Sequence, residues 1–226
     1  MTMQTRLADP RLGPHAVLGC GVQLNILPGR KLAQVKPLSL GSDAHVRSGT
    51  VLYASTRIGH HFETGHHVVV REDNRIGNHV AIWNNTTIDY GCQVGSGVKI
   101  HCNCYIAQYS ILEDNVFLAP GVILANDLFP GSKHAARVLQ GPIIGKGAQI
   151  GVNVTLLPGI KIGARALVGA GSVVTQDVPE GAVVWGNPAR MHKTRKNLHW
   201  PVDYYPLHSD AQAFYKKRLA GRPVFD

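Results

Sequence analysis

Every sixth residue of this chain is a large aliphatic side chain, and few folds can accommodate that spacing. Stepping in sixes from Leu40 reaches Val46, Leu52, Ile58, Thr64, Val70, Ile76, Ile82, Ile88, Val94, Ile100, Ile106, Leu112, Leu118 and Leu124. The frame then slips across an insertion and resumes at Ile144, Ile150, Leu156, Ile162, Val168 and Val174. Only Thr64 breaks the rule, whereas average usage would place Leu, Ile or Val at roughly a quarter to a third of such positions. Four residues after the aliphatic site stands a small or β-branched residue in most hexads, as at Ala44, Thr50, Thr86, Cys92, Cys104, Ser110 and Ala166. Phe62, Asn74 and Ile160 depart from this. A period of six suits neither a helix nor an alternating hairpin. It suits short flat strands meeting at corners, with one aliphatic residue per face turned inward and three faces to an 18-residue coil. Parallel pairing then stacks the coils about 4.8 Å apart, so residues 18 apart lie above one another. The expected fold is all-β, a parallel β-helix of about seven coils, five before the insertion and two after it.

Composition agrees. Gly (25) and Pro (13) are abundant and aromatics are only 7%, a mix made for tight corners. Apolar residues at 44% and charged residues at 16% exclude a disordered chain. The first residues lack the apolar run of a signal peptide and no stretch reaches 18 apolar residues, so no membrane insertion and a cytoplasmic location are expected. Cys20, Cys92, Cys102 and Cys104 fit no zinc spacing, and Cys92 and Cys104 fall in the small-residue phase of the hexad, as core residues would. The net charge of +9 favours polyanionic partners. No nucleic-acid module and no basic stripe interleaved with aromatics is present, which points away from nucleic acid and toward small polyphosphates.

The hexads resemble the left-handed β-helix acyltransferases over residues 40–190. The resemblance is closest at 145–190, GKGAQIGVNVTLLPGIKIGARALVGAGSVVTQDVPEGAVVWGNPAR, which is similar to the acyl-CoA end of that family and closes in its Gly-Asn-Pro-Ala-Arg turn. The left hand is implied by the resemblance alone, since the usual crossover preference is right-handed. The resemblance also implies a homotrimer with sites in the grooves between subunits, and acetyl-CoA as co-substrate. Residues 1–39 are expected to cap the first coil. Residues 191–226 form an extension in which Ser209-Asp210-Ala211-Gln212 starts a short helix running to about Leu219.

A loop at 126–143 interrupts the solenoid, and a long excursion from a compact repeat is usually functional. It carries Asn126, Asp127, Lys133, His134 and Arg137. His67, Asn85 and Asn103 are spaced by 18 and share a corner, with His66 and Asn84 beside them. The combination Ile100-His101-Cys102-Asn103 with Leu124-Ala125-Asn126-Asp127 resembles the nucleotide-linked amino-sugar N-acetyltransferases, with Ala125 standing where Thr is common. That resemblance implies that Asn103, Asn126 and Asp127 hold the sugar near the acyl thioester, with Asn126 and Asp127 as catalytic residues; the loop adds His134 as a catalytic candidate and Lys133 and Arg137 as substrate contacts, and the shared corner adds His66, His67, Asn84 and Asn85 as substrate contacts. On the donor side, small residues at Gly151, Ala170 and Gly171 would let pantetheine approach the backbone. Arg165, Arg190 and Lys193 are candidates for the CoA phosphates.

An amine acceptor of pKa near 8 is about a tenth neutral at pH 7, so reaching the free base costs only about 1.4 kcal/mol. A sugar hydroxyl needs a positioned base, and His134 is the candidate for that alternative, O-acetylation. The same coil and trimer also resemble the gamma-type zinc carbonic anhydrases. His61 and His66 have a ligand-like spacing and His79 follows His61 by 18, but in a different hexad phase from that family's ligands, and no metal site is assigned. A scaffold without catalysis is the third reading, disfavoured by the donor-end motif and the loop.

Overall fold

The computed structural model describes residues 10–197. The chain is a left-handed parallel β-helix of triangular section, and among the described residues it makes eight coils. These are residues 11–26, 39–53, 57–70, 75–88, 93–106, 111–124, 143–156 and 161–174, numbered coils 1 to 8. Each supplies one short strand to each of three parallel sheets, the first, second and third faces in chain order. In register, Arg57 faces Arg75, which faces Gln93 on the first face, and Ile82 faces Ile100 on the second.

The hexad frame is the interior. Leu52, Val70, Ile88, Ile100, Ile106, Leu118 and Ile144 are wholly buried. Thr64, the one exception, is also wholly buried: its hydroxyl accepts from the Arg47 backbone N–H at 3.0 Å and meets the Thr50 hydroxyl at 3.3 Å, so the polar atom is satisfied inside the prism. Asn74 behaves likewise, its amide donating to the Arg71 carbonyl at 2.9 Å and accepting from the Cys92 N–H at 2.7 Å. Cys92 and Cys104 are core residues, as their phase implies. Burial pushes their thiols up to about 12 and about 11, so neither is a nucleophile.

At most corners one residue per coil takes the left-handed conformation, φ between about 54° and 73°, and the residue there is Gly, Asn, Asp or His in most cases. Short polar side chains and glycine tolerate that region best. His67 (φ 55°), Asn85 (57°) and Asn103 (60°) are such residues on the second corner, so the polar column seen in the sequence has a backbone cause.

The solenoid starts earlier than its hexad frame suggests. Leu12, Leu18 and Leu24 stack in register on Leu40, Val46 and Leu52, so the segment in front of Leu40 covers the first regular coil by adding another. The frame is hidden because a strap of residues 27–38 separates Leu24 from Leu40 by a spacing that is not a multiple of six. At the other end, strands Ala182–Gly186 and Ala189–Thr194 form an antiparallel hairpin on the second face, turning at a cis Asn187–Pro188 bond. The helix expected from Ser209 to Leu219 lies outside the described residues. Among those residues no helix is long and apolar enough to cross a membrane.

Candidate active site

The insertion leaves the prism at the third corner, between coils 6 and 7, without disturbing either. Leu112 pairs with Ile144, and Leu124 with Leu156, as though the intervening chain were absent. Its neck is tied by the Gln140 N–H donating to the Asn126 carbonyl at 2.9 Å and the Gly159 N–H donating to the Gln140 carbonyl at 2.8 Å. Beyond the neck, Asp127 Oδ1 accepts from the Phe129 N–H at 2.8 Å, and a 3₁₀ turn, Ala135–Arg137, follows. Lys133, His134 and Arg137 are exposed, as are the apolar Leu128, Phe129 and Val138. Three large apolar side chains on one loop are thus left mostly exposed.

A polar column, missed from the sequence, descends the third corner to the root of this loop. Glu72, Tyr90, Gln108 and Asn126 are each 18 residues apart and occupy successive coils, with Arg71 and Asp89 beside the first two. Asn126 donates through Nδ2 to Gln108 Oε1. Gln108 Nε2 donates to Asp89 Oδ2 at 2.5 Å, and the Tyr105 hydroxyl donates to the same oxygen at 2.7 Å. Arg71 binds Asp89 Oδ1 at 2.9 Å and Glu72 Oε1 at 3.1 Å. Arg30 reaches Glu72 at 2.6 Å, also binds Asp73, and lies over the Tyr90 ring at 4.2 Å. Tyr109 meets Tyr90 edge to face, at 5.5 Å between centroids.

Glu72 is wholly buried and Asp89 nearly so. Burial works to raise the Glu72 carboxyl, but a backbone N–H, Arg30 and Arg71 hold it below the ordinary glutamate value. Burial raises the Tyr105 hydroxyl, and its hydrogen bond to Asp89 raises it further, so it stays a donor. This is a pre-set wall of fixed charges that ends at Asn126, the first residue of the loop. The signal that could have found it is the 18-residue step itself, taken backwards from Asn126.

The other residues singled out from the sequence do not gather there within one chain. His66, His67, Asn84, Asn85 and Asn103 lie on the second corner, whereas Asn126 and the basic loop rise from the third. Within a single chain the cluster and the loop therefore stand on different corners, because 18-residue spacing fixes a column but not its neighbour across a face. Asn84 Oδ1 is used by the His66 N–H at 2.8 Å. Of the donor-side residues, Gly151, Ala170 and Gly171 share the second corner on coils 7 and 8. A Cβ on Gly151 would stand 2.6 Å from the Ala170 nitrogen, so that glycine serves the approach of coil to coil; Gly171 faces open space. Arg165 lies on the first corner bound to Glu180, and Arg190 and Lys193 are exposed on the hairpin. His61 and His79 stack on the first corner, 4.5 Å between centroids, away from His66 on the second. Among the described residues no group of three His, Cys, Asp or Glu is placed to hold a metal ion.

The family model for the bacterial transferase hexapeptide (six repeats) matches residues 141–176. The chain is 50% identical over 76 residues to YvoF of Bacillus subtilis, covering 34% of this chain and 42% of that one. It is 37% identical over 102 residues to serine acetyltransferase 4 of Arabidopsis thaliana, covering 44% and 27%. A solved maltose O-acetyltransferase from Clostridium difficile 630 is 32% identical, with 52% of this chain and 67% of that one covered and a TM-score of 0.46. The stretch 141–176 is thus similar to a bacterial transferase hexapeptide, and both curated relatives are acetyltransferases by name. The chain spans less than half the length of either curated relative.

Proposed function

We propose that the chain transfers an acetyl group from acetyl-CoA to the amine of a nucleotide-linked amino sugar, working as a homotrimer. The observation that carries this reading is the column ending at Asn126. It holds the loop root with amide, carboxylate and phenol groups, and among the described residues no imidazole belongs to it. Such a wall orients an acceptor but offers no strong base. That suits an amine, which attacks the thioester carbonyl as its own free base. CoA leaves as the thiolate, and the proton of the ammonium adduct passes to Asp127 or to solvent. The exposed Tyr109 supplies a ring against which a base or sugar can pack.

The trimer reading is supported by the third face. Its outward residues on coils 2 to 8 are Val51, Val69, Thr87, Tyr105, Ile123, Thr155 and Val173, with no charge among them. The first face bears Arg57, Arg75 and Lys161, and the second Glu63 and Lys99. An uncharged, mostly β-branched face is the one a second copy can cover, and a trimer would bring a neighbour's second corner toward this chain's loop. Val69→Lys with Val173→Lys should convert the trimer to the 24.4 kDa monomer by light scattering, with the circular dichroism spectrum retained. A wild-type chain that is already monomeric at micromolar concentration rules the trimer out.

Activity is tested by following thiol release with acetyl-CoA and a panel of nucleotide-linked amino sugars. Asn126→Ala and Asp127→Ala should each lower turnover about ten- to a hundredfold and leave a measurable rate. The rate should rise with pH through the substrate amine's own pKa, and that rise should persist in Asp127→Ala. His134→Ala should matter less. Complete loss in His134→Ala with Asp127→Ala near normal would move the chain to His-dependent O-acetylation.

A further inference from the structure

We propose that the groove between the strap and the first face binds a small ligand through its diphosphate. The strap is fixed at both ends. The Lys36 N–H donates to Ser55 Oγ at 3.0 Å, and the Ser55 N–H returns to the Lys36 carbonyl at 2.7 Å. Further back, Arg30 holds it to Glu72 and Asp73. A cavity of about 450 Å³ lies under it and continues into one of about 580 Å³, each within the range of small-molecule sites. The groove is therefore built in advance.

Its charge is one-sided. Arg11, Lys36, Arg57 and Arg75 all line it, with the Ser39 and Ser55 hydroxyls between them. Arg11, Ser39, Arg57 and Arg75 are successive register partners on coils 1 to 4. Arg57 and Arg75 thus stand opposite each other on neighbouring strands, about 4.8 Å apart at the backbone, an arrangement that like charges oppose. None of these four side chains has a hydrogen bond or ion pair among the described residues. Asp73, the one carboxylate that lines the groove, is taken by Arg30. Elsewhere the surface arginines Arg47 and Arg165 each have their own glutamate, Glu63 and Glu180.

Unneutralised guanidiniums on adjacent rungs of a rigid strand ladder match two linked phosphoryl groups, because each planar fork can hold one in bidentate fashion. A single phosphate would engage one rung and leave the other charge uncompensated. The diphosphate can belong to a nucleotide-linked acceptor or to a separate effector, and the site stands whichever of these supplies it. It also stands independently of the acetyl-transfer reading.

The test is calorimetric titration of the full chain with inorganic pyrophosphate, orthophosphate, ADP and UDP. Pyrophosphate should bind more tightly than orthophosphate, and more weakly as salt is raised. Arg57→Gln with Arg75→Gln should weaken it tenfold or more, and Arg11→Gln with Lys36→Gln, at the other end of the groove, severalfold. Lys99→Gln with Lys161→Gln, which removes the same charge outside the groove, should leave binding unchanged. Pyrophosphate should raise the melting temperature of the wild type but not of the Arg57/Arg75 double variant. A nucleoside diphosphate binding more tightly than pyrophosphate assigns the site to a nucleotide-linked ligand; equal affinity assigns it to the diphosphate alone. Equal pyrophosphate affinity in wild type and the Arg57/Arg75 variant, or an equal loss in the Lys99/Lys161 control, overturns the proposal.

Discussion

Ile100→Asp should yield no folded, soluble chain. Ile100 is wholly buried, stacked between Ile82 above and Leu118 below on the second face. The substitution gives up about 2–3 kcal/mol of apolar burial and puts a carboxylate where no partner can reach it, at a further several kcal/mol. Together these approach the whole stability of an ordinary domain, about 5–15 kcal/mol. Ile150→Asp should do the same on coil 7, because Leu118 pairs with Ile150 across the insertion. Ile100→Val, at about 1 kcal/mol, is the control that should fold. Soluble Ile100→Asp protein with the wild-type spectrum and melting temperature would show that the hexad frame does not form the core.

Asp89→Ala should be the most damaging change at the candidate site. The removed carboxylate accepts from Arg71, Tyr105, Gln108 and the Tyr90 backbone N–H together, so four donors lose their acceptor at once. Breaking a buried ion pair costs about 3–5 kcal/mol; Arg71 keeps part of its side chain in water, so about 2–4 kcal/mol is expected here. At the size of this chain that lowers the melting temperature by roughly 5–15 °C. Turnover should fall too, because Gln108 then no longer holds Asn126 in place. Asp89→Asn keeps the shape and part of the hydrogen bonding, and should recover stability better than turnover. Melting and turnover both unchanged in Asp89→Ala would mean that the column holds neither fold nor loop. Acid denaturation gives an independent reading. Glu72 titrates below its ordinary value of 4.5, so the stability it contributes is full above that pH and is lost as pH falls through the lower folded value. Glu72→Gln should remove that acid-side dependence.

Most of the prism was legible because one residue in six faces inward whatever the rest of the sequence does. Ile58, Ile76 and Val94 announce a core column with no help from their neighbours. Coil 1 was not legible, since the strap between Leu24 and Leu40 breaks the count and its aliphatic residues are partly exposed at the open end. The site was half legible. Asn126 and Asp127 stood out through the loop, but Arg71, Asp89 and Gln108 did not, because their meaning lies in what stands 18 residues away. Conversely, His67, Asn85 and Asn103 drew notice as a polar column when their common feature is a left-handed backbone turn. Sequence spacing shows that residues share a corner; it does not show whether the corner is polar for chemistry or for geometry.

The tied neck of the insertion separates two tasks that most proteins must solve together. Coils 6 and 7 pair as they would without the excursion, so its length and sequence are invisible to the ladder on either side. Changes at Leu128, Phe129, Lys133 or His134 therefore leave the ladder that folds the chain untouched, whatever the loop contacts. The prism is the fixed part, and the loop an attachment whose sequence is free to vary beyond its ties at Asn126 and Gln140.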